Sequence, residues 1–155
     1  MRLAPHILVQ LAAGGSLGLL AGAFFFQHVM GLAPCEMCIW QRWPHAAAIA
    51  LGIAALAVPS LLRPAAALGA LAMAVSAGLA LLHTGVERKW WEGITECSVG
   101  QGNGLSADDL LAEILAAPVV RCDEVAWELL GLSMASWNGI ISLALLACWA
   151  LALRR

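Results

Sequence analysis

The sequence predicts an all-α membrane protein, namely a bundle of four transmembrane helices with a short surface helix in its second outer loop. The chain has 155 residues, of which 62% are hydrophobic and only 12% are charged. A soluble domain of this size is usually about 45–50% apolar and about 25% charged. The mean hydropathy is +0.85. Four apolar segments approach the roughly 20 residues that a helix needs to cross a bilayer.

The four predicted spans cover most of the chain and should form a single membrane domain over residues 1–155. The first span contains no Asp, Glu, Lys or Arg, and Gly and Ala are frequent in all four. Small residues allow membrane helices to approach closely, so we predict a compact bundle. The spans are expected at about residues 7–30, 43–62, 64–83 and 136–153.

Loop charges predict how the spans are oriented. Arg2, Arg63 and the terminal pair Arg154 and Arg155 fall on one side of a four-span arrangement, and no acidic residue accompanies them. Because Lys and Arg are enriched in cytoplasmic loops, both termini should be cytoplasmic. The links at about residues 31–41 and 85–135 then lie on the outer face. The net charge of −2 and the lack of a basic stripe argue against a nucleic-acid partner.

The longer outer link contains a predicted surface helix. Its first turn resembles a capping box, with Ser106 followed by Asp109 three residues later. An apolar stripe at spacings of three and four comes next, formed by Leu110, Leu111, Ile114 and Leu115. At roughly 12 residues the segment is too short to cross a bilayer. We expect it to lie on the membrane surface or to pack on the outer end of the bundle.

Four of the five cysteines fall in the two outer links. Cys35 and Cys38 form a C-x-x-C pair in the first link, and Cys97 and Cys122 lie in the second. Four spans bring all of them to the same face of the membrane, which is the oxidising one. Cys148 lies within the fourth span, where a lone cysteine is expected to be a small apolar core residue.

The C-x-x-C pair at the beginning of a helix is a redox arrangement, because the positive end of the helix dipole favours a thiolate. Arg42 follows Cys38 by four residues, so the two share one helix face. The guanidinium could stabilise that thiolate, donate to a carbonyl oxygen of a bound acceptor, or anchor the helix at the interface. Pro44 fits only the first turn of a helix, so the helix should begin near Trp40 or have a distorted first turn.

The second cysteine pair allows three interpretations. With 24 residues between them, Cys97 and Cys122 could close a structural disulfide that contributes about 3 kcal/mol. Two pairs on one face also allow electrons to pass between them by thiol–disulfide exchange, which we favour. A zinc site built from all four thiols matches poorly, because zinc sites usually use two short Cys pairs. No metal is therefore expected.

Histidines lie near the outer ends of the spans. His83 ends the third span at about the level of Arg42. Together these two side chains could bracket a flat, polar-headed, lipid-soluble molecule. His28 and His45 lie near the same level and are interpreted as interfacial residues.

These motifs resemble the disulfide bond formation protein B (DsbB) family over nearly the whole chain. "FQHVMGLAPCEMCIWQRW" at residues 26–43 is similar to the first loop of that family, with a Pro-Cys-x-x-Cys and an arginine four residues after the second cysteine. "HTGVE" after the third span, "GLSMASWN" before the fourth and the spacing of Cys97 and Cys122 fit as well. Gln41 departs from the acidic residue that is common in the family, and Pro44 is unusual.

The resemblance implies a protein-dithiol:quinone oxidoreductase of the bacterial inner membrane. Such an enzyme reoxidises a periplasmic DsbA-like thioredoxin-fold protein and passes the electrons to ubiquinone or menaquinone, and the outer links become periplasmic loops. DsbA-type oxidants have potentials near −120 mV, so only a stronger acceptor such as a quinone can regenerate them.

The resemblance also implies a role for each candidate site residue. Cys97 would form the mixed disulfide with the partner, after which Cys122 would attack Cys35. Cys38 would be the thiolate that meets the quinone, and the quinone head group would lie beside two further residues, Arg42 and His83.

Two other functions stay open at this point. An enzyme of the vitamin K epoxide reductase type also combines outer-loop cysteines with a membrane C-x-x-C, but there the C-x-x-C lies late in the bundle, whereas here it follows the first span. The second alternative is a structural four-span protein with two inert disulfides. Inert disulfides would reduce no quinone when a dithiol partner is added, which distinguishes them from a relay.

Overall fold

Four long helices dominate the computed structural model, which describes residues 3–92 and 121–154. A 3-10 turn, Pro59–Leu61, joins the second helix to the third, and a two-stranded antiparallel hairpin precedes the fourth. The helices are α1 (Pro5–His28), α2 (Glu36–Ala57), α3 (Leu62–Glu87) and α4 (Met134–Leu153), and the strands are β1 (Glu128–Leu129) and β2 (Leu132–Ser133).

The helices form a closed bundle in which α1 and α3 each pack on α2 and α4. Three segments are long and apolar enough to cross a membrane by length and composition, namely α1, Pro59–Glu87 and α4. Helix α2 has 22 residues, but its first half carries Gln41, Arg42 and His45. The chain is thus a helical, multi-pass membrane protein, while a count of four spans with α2 among them stays a prediction.

Small residues bring the helices together at the centre of the bundle, as the sequence predicts. A Cβ atom at Gly69 would lie 2.5 Å from Cδ2 of Trp149, and one at Gly52 would lie 2.4 Å from Cβ of Ala13. Trp149 is fully buried, and it belongs to a core cluster with Met73 and other apolar side chains. Large apolar side chains are exposed on the outside of the bundle, as a lipid-facing surface requires; examples are Leu17, Leu71 and Leu143.

Helix α2 begins earlier than the sequence suggests. It begins at Glu36 rather than near Trp40, and Pro44 lies inside it, so the placement of Pro44 in the first turn is wrong. Proline interrupts a helical hydrogen bond, but membrane helices tolerate it where neighbouring groups satisfy the freed carbonyl. The sulfur of Cys35 caps the helix by accepting from the backbone N–H of Cys38. The C-x-x-C pair therefore lies at the N-terminus of α2.

The β-hairpin was not predicted from the sequence. Its two-residue loop has positive φ at Leu130 (55°) and Gly131 (76°), the combination that matches the twist of paired strands. Ser133 ends the hairpin and caps α4 by accepting from the backbone N–H of Ser136. The hairpin therefore fixes where α4 begins. The surface helix predicted at residues 106–117 lies outside the described residues.

Candidate active site

A cavity of about 320 Å³ opens at one end of the bundle, between α1, α2, α4 and the segment that leads to the hairpin. Apolar side chains of α1 form much of its wall, among them Leu19, Ala23 and Phe26. The polar side chains that line it come mainly from α2, α3 and α4; they include Cys38, Gln41, Arg42, His45, His83 and Asn138. An apolar pocket with a few convergent polar groups is the usual form of a small-molecule site.

The two thiols of the C-x-x-C pair are in direct contact in this wall. Cys35 is buried, and its thiol donates a hydrogen bond to Sγ of Cys38 over 3.0 Å. This hydrogen bond, together with burial, raises the pKa of Cys35 to about 12, although His83 acts in the opposite direction. A hydrogen bond that is donated by the neutral form stabilises that form. The proton of the pair therefore stays on Cys35, and the thiolate that forms is on Cys38.

Cys122 and His83 complete a cluster around the buried sulfur. Sγ of Cys35, Sγ of Cys122 and a ring nitrogen of His83 all lie within 4.8 Å of one another. Nε2 of His83 is 3.6 Å from Sγ of Cys35 and 3.8 Å from a carboxylate oxygen of Glu87. Two sulfurs and an imidazole are ligand types that zinc accepts, and the same proximity also permits thiol–disulfide exchange.

The hydrogen bonds of Gln41 fix which nitrogen of His83 carries the proton. Nε2 of Gln41 lies 3.2 Å from the carbonyl oxygen of Met37 and 2.9 Å from Nδ1 of His83. Since a carbonyl oxygen can only accept, the group facing it must be the amide NH₂. Nδ1 of His83 is therefore an acceptor, and the neutral ring presents its Nε2–H to Cys35.

A chain of polar side chains continues from Gln41 into the bundle. Nδ2 of Asn138 donates to Oε1 of Gln41 over 2.7 Å, and Oδ1 of Asn138 lies 2.9 Å from Nε2 of His45. The same nitrogen is 3.1 Å from Oγ of Ser76, which is 3.0 Å from Oγ of Ser142. Buried polar groups between membrane helices are expensive and mark functional positions.

Two side chains of α2 that line this cavity carry buried nitrogen atoms without a hydrogen-bond partner among the described residues. Arg42 donates from Nη1 to Oε1 of Gln27 over 2.6 Å, and its guanidinium lies 5.1 Å from the centre of the Phe24 ring. Its Nε atom and Nδ1 of His45 are buried and have no hydrogen-bond partner among the described residues. Buried polar atoms without a partner are costly, so each of these atoms suits a bound molecule.

Comparison with known proteins identifies the family. The model of the family described as "Disulfide bond formation protein DsbB" matches residues 5–152. The chain belongs to the DsbB family. Among its relatives are proteins named "Disulfide bond formation protein B" from Stutzerimonas stutzeri (strain A1501), at 34% identity over 100% of this chain and 99% of the relative, and from Pasteurella multocida (strain Pm70), at 36% identity over 77% and 68%. No solved structure matches the chain.

Membership of the DsbB family fits the helical membrane bundle and the thiol cluster. A third relative, "Disulfide bond formation protein B 2" from Pseudomonas aeruginosa PAO1, is 33% identical over 83% of this chain and 78% of its own length. The chain is therefore a membrane protein of disulfide bond formation with an oxidoreductase role. The resemblance described from the motifs is confirmed.

Most of the sequence-predicted site residues come together in the structure. Cys35, Cys38, Cys122 and His83 are neighbours, and Arg42 lines the same cavity. Arg42 lies one turn after Cys38 on α2, as expected, but it bonds to Gln27 of α1. Cys97 lies outside the described residues, so its pairing with Cys122 and the roles assigned to these residues stay predictions.

Sequence reasoning missed the polar chain behind the cysteines. The interfacial interpretation of His45 is wrong, because only 3% of that residue is exposed and its ring lies between α2, α3 and α4. Gln41, Ser76 and Asn138 were not proposed as site residues at all. The available signal was the presence of polar side chains within apolar segments, which sequence alone could not assign to one common interior face.

Proposed function

We propose that the chain is a protein-dithiol:quinone oxidoreductase. It reoxidises a periplasmic DsbA-like protein of thioredoxin fold and passes the electrons to a membrane quinone. The observation that carries the proposal is the position of Cys38, whose sulfur contacts Cys35 and lines an apolar cavity beside Arg42. A thiolate at the wall of a largely apolar cavity in a membrane protein suits transfer of electrons to a lipid-soluble acceptor.

A quinone fits the groups that line the cavity. Its ring requires apolar walls, which α1 provides, and its carbonyl oxygens require donors. The guanidinium of Arg42, a residue that lines the cavity, is such a donor, and it keeps its protons throughout the reaction. Ubiquinone and menaquinone both meet these requirements. When bound, the quinone supplies an acceptor for two electrons and two protons.

The thiol half of the reaction begins with the partner protein. A thiolate of the reduced partner attacks a Cys97–Cys122 disulfide at Cys97, and the mixed disulfide resolves when the second partner thiol attacks. The partner leaves with a disulfide, and Cys97 and Cys122 become thiols. Cys122 then attacks Cys35 and breaks the Cys35–Cys38 bond, with Cys38 as the leaving thiolate. This assignment is supported by the cluster in which both sulfurs lie within 4.8 Å of each other and of His83.

The relay then returns to its starting state in two further steps. Cys97 attacks Cys122, which reforms their disulfide and leaves Cys35 and Cys38 reduced. Closing the Cys35–Cys38 disulfide releases two electrons and two protons, which the quinone accepts. His83 directs its Nε2–H at the sulfur of Cys35 over 3.6 Å, so we assign it the task of holding that sulfur in line with both of its bonding partners.

The proposal includes an orientation in the bacterial inner membrane. Both termini would be cytoplasmic, and the loops at residues 31–41 and 85–135 would be periplasmic. The loop charges support it, because Arg63 lies at the opposite end of α3 from His83. The thiols then meet the compartment in which disulfides persist.

The test is to mix the purified chain in detergent with a reduced DsbA-like protein and to follow quinone absorbance. We expect one quinone to be reduced for each partner disulfide formed. The Cys38→Ser variant should reduce no quinone, whereas the matched control Cys148→Ser should retain full activity. Two outcomes would contradict the proposal and favour inert disulfides. In one, the wild-type chain oxidises the partner without reducing quinone; in the other, it neither oxidises the partner nor reduces quinone.

A further inference from the structure

His45 lines the cavity, and its ring carries a buried nitrogen atom, unpartnered within the described part of the chain, that the thiol relay does not use. His45 is 3% exposed and lines the cavity. Its Nε2 atom is paired with Asn138 and Ser76, while its Nδ1 atom has no partner among the described residues. What this atom can bind depends on whether it carries a proton.

The hydrogen-bond chain settles the tautomer. The NH₂ group of Gln41 faces the carbonyl oxygen of Met37, so Oε1 of Gln41 faces Asn138 and accepts from its NH₂ group. Oδ1 of Asn138 must then be the atom that faces Nε2 of His45. Because that oxygen can only accept, Nε2 of His45 carries the proton.

His45 therefore carries an unprotonated Nδ1 within the wall of the cavity, without a partner among residues 3–92 and 121–154. Protonation of this atom would place a positive charge in the buried interior of the bundle, and both partners of the ring, Asn138 and Ser76, are uncharged. A buried charge without a counter-charge is strongly unfavourable. A lone pair at Nδ1 attracts a hydroxyl hydrogen and repels a carbonyl oxygen.

We propose that His45 is the hydrogen-bond acceptor for a hydroxyl group of the hydroquinone, so that the cavity binds the reduced acceptor more tightly than the oxidised one. The inference rests on the proposed function, since it concerns the same cavity. It identifies a residue that discriminates between the two redox forms of the ligand.

The arrangement on α2 supports a division of tasks between two residues. Cys38, Arg42 and His45 are spaced by four and three residues on one helix, so they lie along one face. Arg42 can donate to a carbonyl oxygen or to a hydroxyl oxygen, and it therefore serves both redox forms. His45 can pair with the hydroxyl alone, and it therefore distinguishes them.

Preferential binding of the reduced form has a redox consequence. By thermodynamic linkage, a ligand couple whose reduced form binds more tightly becomes a stronger oxidant when bound. For a two-electron couple a tenfold preference corresponds to about 30 mV. His45 would thus help to draw electrons away from the thiol pair.

The test measures binding rather than turnover. In the full-length Cys38→Ser chain, which cannot close the Cys35–Cys38 disulfide, anaerobic calorimetry compares a short-chain benzoquinone with its hydroquinone. We expect the hydroquinone to bind more tightly. His45→Phe should weaken hydroquinone binding by about 5- to 10-fold, the usual effect of one hydrogen bond, and change quinone binding by less than about 2-fold. The control His6→Phe, at an exposed position of α1, should change neither.

A ligand-side measurement keeps the inference testable if His45→Phe does not fold. The di-O-methyl ether of the hydroquinone has no hydroxyl hydrogen, so it should bind the Cys38→Ser chain no more tightly than the quinone does. Equal binding of quinone and hydroquinone, or equal weakening of both by His45→Phe, would overturn the role of His45 alone. If neither redox form binds, the quinone site itself is refuted along with the proposed function.

Discussion

Replacing Gln41 by Leu should destabilise the bundle, because Gln41 connects α2 to two other helices. It is 6% exposed, and it pairs with Nδ1 of His83 on α3 at 2.9 Å and with Nδ2 of Asn138 on α4 at 2.7 Å. Leucine is nearly isosteric but can neither donate nor accept. The substitution therefore leaves two buried polar atoms without their partner, of which Nδ2 of Asn138 keeps only a contact of 3.4 Å with Ser76.

The magnitude follows from the energy of such hydrogen bonds in membranes. Each interhelical hydrogen bond contributes about 0.6 kcal/mol on average and about 1.7 kcal/mol at most. The loss of two predicts a decrease in the free energy of unfolding of about 1–3 kcal/mol for Gln41→Leu. Titration with sodium dodecyl sulfate in mixed micelles, followed by circular dichroism, measures this difference.

The matched control is Gln10→Leu, because Gln10 lies on the exposed surface of α1. Leucine there should leave the unfolding free energy unchanged or slightly raise it, since an apolar side chain suits a lipid-facing position. If Gln41→Leu unfolds at the same detergent fraction as Gln10→Leu, Gln41 does not join the helices in the way described. The donor and acceptor assignments in the hydrogen-bond chain, and the tautomers of His83 and His45 that follow from them, would then be unsupported.

Three further predictions concern the reaction. In the reduced chain at pH 7–8, iodoacetamide should modify Cys38 well before Cys35, and the labelling of Cys35 should rise only as the pH approaches its pKa of about 12. Peptide mass spectrometry after timed quenching measures the labelling of each cysteine. Equal labelling of the two cysteines at pH 7 would contradict the prediction. Arg42→Ala should raise the apparent KM for quinone at least about tenfold, with a smaller effect on kcat. Arg42→Lys retains the positive charge, so its KM should rise less. An unchanged KM in Arg42→Ala would favour the interpretation of Arg42 as an interfacial anchor. Cys97→Ser should abolish oxidation of the partner yet leave the Cys35–Cys38 disulfide intact, as thiol trapping on gels can show, and partner oxidation at the wild-type rate would refute Cys97 as the residue that the partner attacks.

The sequence predicts the helices and the proximity of the cysteines because both follow from the lengths of the apolar segments and from the positions of the cysteines between them. Apolar length marks α1, α3 and α4, and the predicted count of four spans would put the four loop thiols on one face of the membrane. The structure adds that Cys122 reaches Cys35 within 4.8 Å. That distance depends on how the segment before β1 packs against the ends of α2 and α3, which the spacing of the cysteines in the sequence does not reveal.

Local details were less accessible for physical reasons. Pro44 lies inside α2 and not in its first turn, a position that membrane helices tolerate where neighbouring groups satisfy the freed carbonyl. The hairpin at residues 128–133 uses Leu130 and Gly131 in its loop, so it lacks the Asn-Gly or Asp-Gly pair that would have revealed it. His45 looked interfacial because its burial depends on partners from α3 and α4 that are distant in sequence.

The hairpin that fixes the beginning of α4 also limits how far Cys122 can travel. Glu128, the first residue of β1, follows Cys122 by six positions, and a fully extended stretch of that length spans about 20 Å. A thiol on so short a tether experiences its target at a local concentration in the millimolar range or above, far beyond that of dissolved competitors. In the proposed relay, the attack of Cys122 on Cys35 is thus strongly favoured over capture of Cys122 by dissolved thiols of the surrounding medium.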